Sequence, residues 1–170
     1  MIVCIHDANI LIDLFGSELL DAYARLGWET HVPDLVLREV RQDLRAWIRS
    51  GTFRIRSFDA AAIGEILALQ AEHSRRLSLQ DTSALFLART MNVPLMTGDG
   101  TLRKAAEKEK IECRGLLWIL DKLLEAGESP GYLAERLEVA LAQGARLPEE
   151  ECERRLVKWR ASTAGTSRSS

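Results

Sequence analysis

Apolar residues along this chain follow two rhythms. Short runs at 2–5, 30–32, 93–97 and 111–113 are too brief for helices and predict strands, and the unbroken Ile2–Ile5 run suits a strand buried on both faces. Residues 52–58 alternate Phe53, Ile55 and Ser57 with basic residues, the pattern of a strand with one solvated face. Between these runs the apolar period is helical. Residues 8–24 carry Ile10, Leu11, Leu14, Leu19, Leu20 and Tyr23. A helix from Asp34, a ready N-cap, to the stop at Gly51 carries Leu35, Val36, Val40, Leu44, Trp47 and Ile48. Further helices are expected at 59–76, 79–91, 101–109 and 116–124. Strands spaced by helices, without hairpin turns, predict an α/β fold around a parallel sheet.

Beyond residue 126 only helices are expected. Ser129-Pro130 opens one with Leu133, Leu137, Ala140 and Leu141 on one face, and Pro148 followed by Glu149, Glu150 and Glu151 opens another. Arg154, Arg155, Lys158 and Arg160 close it, so its charges complement the helix dipole. The organisation expected is a first domain over 1–126, a helical extension over 127–160 packed on it, and a disordered Ser/Thr/Ala/Gly tail over 161–170.

Composition narrows the functional classes. A chain of 170 residues with 46% hydrophobic residues can bury a sizeable core, and it has no long uncharged apolar run to span a membrane. Its formal net charge is −2, so bulk charge will not hold it on nucleic acid; a metal or a local arginine stripe would have to supply the positive field. Cys4, Cys113 and Cys152 form no C-x-x-C pair and read as reduced thiols, which points to the cytoplasm, and the amino terminus reads as a first strand rather than a signal peptide.

Open α/β sheets gather ligands at the carboxyl ends of their strands, and four acids fall in that region. Asp7 follows the first strand, Asp99 the 93–97 strand, Asp81 opens the 79–91 helix, and Glu39 lies near the start of the helix after the second strand. Each has a simpler explanation alone: Asp7 as an N-cap, Ser78-Leu79-Gln80-Asp81 as a capping box, Asp99 as a turn residue between glycines. Glu39 has Asp43, a like charge, at i+4 and so lacks the usual basic partner. Two carboxylates 4 Å apart repel by roughly 1 kcal/mol even in water, so convergence of all four favours a compensating hard cation, Mg²⁺ or Mn²⁺.

The four acids also sit in recognisable local sequences. His6-Asp7-Ala8-Asn9 after an apolar strand, Val36-Leu37-Arg38-Glu39-Val40, Asp81-Thr82-Ser83-Ala84 opening a small-residue helix, and Leu95-Met96-Thr97-Gly98-Asp99 ending a strand together resemble, in order, the four motifs of PIN domains. At this size the resemblance extends to the VapC-like ribonuclease toxins of toxin–antitoxin pairs. It implies a three-layer α/β/α fold with a central parallel sheet of four to five strands and a C-terminal helical extension. It also implies metal-dependent endoribonuclease activity, with Asp7, Glu39, Asp81 and Asp99 as catalytic acids and ligands of Mg²⁺ or Mn²⁺. Asn9 and Thr97 would orient a carboxylate or a bound water. The partners implied are RNA, a small antitoxin protein and a second copy of the chain in a homodimer.

Arg38, Arg41, Arg45 and Arg49 recur at helical spacing and predict a basic stripe beside Glu39, either a phosphate track or a solvated face paired with Asp34 and Asp43; Arg103 is a further phosphate candidate. Two other functions stand beside the nuclease. One is a non-catalytic PIN-like module that binds protein or RNA, against which the intact acid set argues. The other is a Mg²⁺ phosphotransfer enzyme, against which Asn9 argues by occupying the place of the second Asp in the D-x-D start of haloacid-dehalogenase-like phosphatases.

Overall fold

A computed structural model describes residues 1–73 and 76–166, with the side chains of 163–166 outside the described set. The chain forms two compact units, one of residues 1–12 and 27–115, the other of 13–26 and 116–170.

The first unit is built on a five-stranded, wholly parallel sheet: β1 (Val3–His6), β2 (Glu29–Pro33), β3 (Arg54–Arg56), β4 (Leu95–Met96) and β5 (Cys113–Arg114), in the order β3-β2-β1-β4-β5. The buried central strands are short and apolar, with Ile5, Leu95 and Met96 fully inaccessible to solvent. β3 is an edge strand with all three residues exposed, Ile55 included, where the alternation predicted one buried face. The order reverses between β1 and β4, where Ile5 pairs with Leu95 and His6 with Met96; crevices for ligands open at such switch points, beyond the strands' carboxyl ends.

Helix α1 (Ala8–Gly16) follows β1, α4 (Ala60–Glu72) and α5 (Leu79–Met91) join β3 to β4, and α6 (Gly100–Lys108) joins β4 to β5. The residues from Thr82 through Ala88 are all buried and α5 packs on β1, β2 and β4, which explains the small side chains Thr82, Ser83 and Ala84 in its first turns. Asn92 ends it in the left-handed conformation.

The single helix expected from Asp34 to Gly51 is replaced by three pieces. Val36–Arg38 is one tight 3-10 turn, Arg41 is extended (φ −62°, ψ 159°), α3 covers Gln42–Trp47, and a π turn spans Ile48–Thr52. Leu35, Val36 and Leu37 are all buried, and three consecutive residues sweep about 200° around an α-helix, too wide for one core-facing stripe. The tight turn followed by an extended residue buries them together with Val40.

In the second unit α2 (Leu20–Arg25) lies with α7 (Leu116–Glu125), α8 (Pro130–Ala142) and α9 (Glu149–Thr166). The 8–24 helix expected from sequence is therefore two helices, α1 and α2. Ser129 caps α8 by accepting from the Tyr132 N–H. Arg155 clamps Asp121 through Nε (2.9 Å) and Nη2 (2.6 Å). The expected tail at 161–170 instead continues α9 through Thr166; residues 167–170 lie outside the described set.

Candidate active site

Asp7 leaves the carboxyl end of β1, and its Oδ1 accepts the Ile10 N–H at 2.8 Å, capping α1. Its Oδ2 accepts from the Thr97 hydroxyl, which lies one residue beyond β4. The same Thr97 Oγ1 accepts the Asp99 N–H at 3.0 Å. Asp99 in turn caps α6, its Oδ1 accepting the Leu102 N–H at 2.7 Å. One threonine thus ties together two acids that lie 92 positions apart in the sequence but emerge from adjacent strands.

Asp81 sits in the first turn of α5, in a capping box. Ser78 Oγ and N donate to Asp81 Oδ2 (2.8 and 3.4 Å), and the Asp81 N–H returns to Ser78 Oγ (2.9 Å). The simpler explanations are therefore correct for Asp7 and Asp81 and compatible with the functional one, whereas Asp99, expected as a turn residue, is the N-cap of α6. Capping by each of these carboxylates brings the N-termini of α1, α5 and α6, with their partial positive charge, to the group of acids.

The acids are graded in depth: Asp7 is buried, Asp81 and Asp99 are half-buried, and Glu39, just after the 3-10 turn, is exposed. Burial lifts the Asp7 carboxyl from its ordinary 3.8 to about 7, against the pull of the Ile10 N–H and the Thr97 hydroxyl, with the charges of Asp81 and Asp99 adding to the rise. Burial also raises Asp81, opposed by both Ser78 bonds and reinforced by Asp99. Partial desolvation and then the charge of Asp81 raise Glu39. The four acids thus share one electrostatic neighbourhood, strained by lack of positive charge.

Hard carboxylate oxygens in mutual repulsion fit a divalent cation such as Mg²⁺ or Mn²⁺. Among the described residues, however, no three His, Cys, Asp or Glu side chains are already gathered closely enough to hold an ion. The donor set fits; its spacing is looser than a finished cage.

The remaining expected residues separate. Thr97 is fully buried and orients two acids. Asn9 is exposed and its side chain makes no hydrogen bond among the described residues, so the Asp7 carboxylate is oriented by the Ile10 N–H and the Thr97 hydroxyl and not by Asn9. The basic stripe is not formed, because Arg38 is on the 3-10 turn, Arg41 in the extended break and Arg45 in α3. Arg41 pairs with Asp43 at 2.9 Å, and Arg45 Nη2 donates to Val40 O at 3.1 Å. Arg103 donates to Thr97 O (3.0 Å) and Cys113 O (3.3 Å), fastening α6 to the ends of β4 and β5 instead of facing solvent. His6 is buried with its ring 5.6 Å from that of Phe53, and burial pushes its pKa down to about 3, a structural role as expected.

A family model described as a PIN domain matches residues 3–161. Among solved structures the chain is similar to PAE2754 from Pyrobaculum aerophilum, with a TM-score of 0.52 and 18% identity, covering 73% of this chain and 98% of that one. It is also similar to VapBC-1 from nontypeable Haemophilus influenzae (TM-score 0.49, 13% identity, 67% and 98% covered). A toxin–antitoxin complex from Klebsiella pneumoniae gives a TM-score of 0.43 at 24% identity, with 56% and 86% covered. No curated protein sequence matches the chain.

Proposed function

The chain belongs to the PIN-domain family, whose members are generally nucleases, and from that premise we propose that it is a Mg²⁺- or Mn²⁺-dependent endoribonuclease acting as the toxin of a toxin–antitoxin pair. The observation that carries the reading is the electrostatic coupling among four acids, Asp7 and Asp99 just past β1 and β4, Asp81 at the start of α5 and Glu39 after the 3-10 turn, with the Asp7, Asp81 and Glu39 carboxyls raised by burial and by neighbouring acids. These four would hold the ion. When bound, the cation supplies charge neutralisation at the phosphodiester and a more acidic attacking water.

The protein's own part is positional. Thr97 fixes Asp7 and Asp99 relative to each other, and the Ser78–Asp81 box fixes the third acid at the start of a buried helix. Glu39 is the most exposed of the four and has its proton affinity raised, which suits it to accept a proton from the attacking water. The toxin role rests on the motif order and chain size, and it carries with it a small antitoxin partner, a homodimer and a cytoplasmic location, where cellular RNA is found. No helix among the described residues is long and apolar enough to cross a membrane.

The test is incubation of a panel of structured RNAs with wild type, Asp99→Asn and Glu39→Gln in Mn²⁺, Mg²⁺ or chelator. Cleavage is expected only with wild type plus metal. Cleavage in chelator, or cleavage surviving Asp99→Asn, removes the mechanism. The looser spacing of the acids is what a non-catalytic binding module would also carry, and RNA binding without cleavage in any metal selects that reading. Growth arrest on expression, relieved by a small protein encoded beside the chain, tests the toxin role separately.

A further inference from the structure

With Arg41 paired to Asp43 and Arg45 and Arg103 bonded to backbone carbonyls, Arg38 beside Glu39 is what remains of the expected arginine set, and the substrate strand needs further positive charge. Arg76, in the turn before α5, and Lys104 and Lys108 of α6 line one cavity of about 120 Å³, together with His73, Leu77 and Thr101. The three cations are exposed, and none is in an ion pair among the described residues. Glu109, which touches the cavity through His73, is already held by His73 Nε2 at 2.9 Å and by Arg89 Nη1 at 3.2 Å. It leaves the positive charge of the other three intact.

Lys104 and Lys108 lie four residues apart, about 6 Å along the helix axis and on one face. Unneutralised cations at that pitch match successive phosphates of an extended strand better than one compact anion. Both walls of the cavity also begin at the acids. Thr101 is two residues past Asp99, and Leu77 immediately precedes Ser78, which binds Asp81. Lys108 is about 12 Å along α6 from its start, so phosphates on this face lead towards Asp99 and Asp81 within a few nucleotides.

We propose that this groove holds the phosphodiester backbone of single-stranded RNA beside the acids, with Arg76, Lys104 and Lys108 as the phosphate-binding groups; the assignment rests on the RNA-nuclease reading. The experiment is fluorescence anisotropy of a labelled single-stranded RNA across a salt series in chelator, where no cleavage occurs. It compares wild type, Lys104→Gln/Lys108→Gln, Arg76→Gln and, as a control in the second compact unit, Arg154→Gln, all on exposed positions and checked for folding by circular dichroism. The double variant should bind at least about tenfold more weakly at low salt, with a salt slope shallower by about 1.4; Arg76→Gln should lose about 0.7, and Arg154→Gln nothing.

Wild-type affinity and slope in both groove variants would overturn the proposal, as would an equal loss in Arg154→Gln or displacement of RNA by polyglutamate at equal charge. Cleavage is read separately in Mg²⁺ and Mn²⁺. Groove-dependent binding without cleavage keeps the groove and ends the nuclease reading. Metal-dependent cleavage with groove variants unchanged does the reverse, and absence of RNA binding by wild type ends both.

Discussion

Replacing Asp7 by Asn should abolish cleavage and at the same time make the metal-free protein more stable above neutral pH. Asp7 has a folded-state pKa of about 7 against an ordinary 3.8, chiefly because it is buried. A carboxyl raised in this way binds its proton more tightly in the folded chain than in the unfolded one. Its contribution to stability is therefore complete below about pH 4 and is lost as the pH climbs through 7. A shift of about three pKa units corresponds to on the order of 4 kcal/mol. Asn has nothing to titrate and nearly the same shape. Its carbonyl oxygen accepts the Ile10 N–H, and its amide donates to Thr97 Oγ1 once that hydroxyl turns, at the cost of one reorganised hydrogen bond. The assay is thermal denaturation of both proteins from pH 4 to 9 in chelator. Other carboxylates cancel in the difference, except that Asp81 and Asp99 are relieved of a neighbouring charge in the variant. Asp7→Asn should gain relative to wild type as pH rises, by about 8–16 °C in Tm across the range for a chain of this size. Adding Mg²⁺ or Mn²⁺ at pH 8 should raise the wild-type Tm more than that of the variant, because the ion offsets a charge the variant lacks. Parallel pH profiles, or an equal response to the ion, would refute the account of Asp7 as a strained buried anion.

Glu39→Gln should remove most of the activity while moving Tm by no more than about 2 °C, since the side chain is exposed and caps nothing; denaturation and cleavage on one preparation check both. Thr97→Val strips a hydrogen bond from Asp7 and an acceptor from the Asp99 N–H, so the stability loss associated with Asp7 should move to higher pH than in wild type, read from the same Tm-against-pH series. Arg103→Ala should destabilise by about 1–3 kcal/mol in urea, leaving two carbonyls without their donor. It should not change the salt slope of RNA binding, whereas a shallower slope would return Arg103 to the phosphate contacts.

What the sequence made legible is what local chemistry determines. Strand β1, the cap at Asp7 and the Ser78-x-x-Asp81 box each follow from a few adjacent residues, and all are present; the cap at Asp99 is added by the fold. The segment after β2 departs from the helix expected over Asp34–Gly51 because Leu35, Val36 and Leu37 are buried together; that run of three is the sequence signal for a tight turn, and with the helix broken the arginines do not share one helical face. The bonds of Arg103 are hidden from sequence for a different reason. Its partners are the carbonyls of Thr97 and Cys113, brought beside it by the pairing of β4 with β5, and no spacing along the chain announces a bond of that kind. The same limit explains the basic groove. Arg76 lies 28 positions before Lys104, and only the packing of α4, α5 and α6 brings them to one cavity. Acids that cap helices are placed by their own neighbours, so the candidate chemistry could be read directly; cations that meet across helices are placed by tertiary packing, so substrate contacts had to wait for the fold.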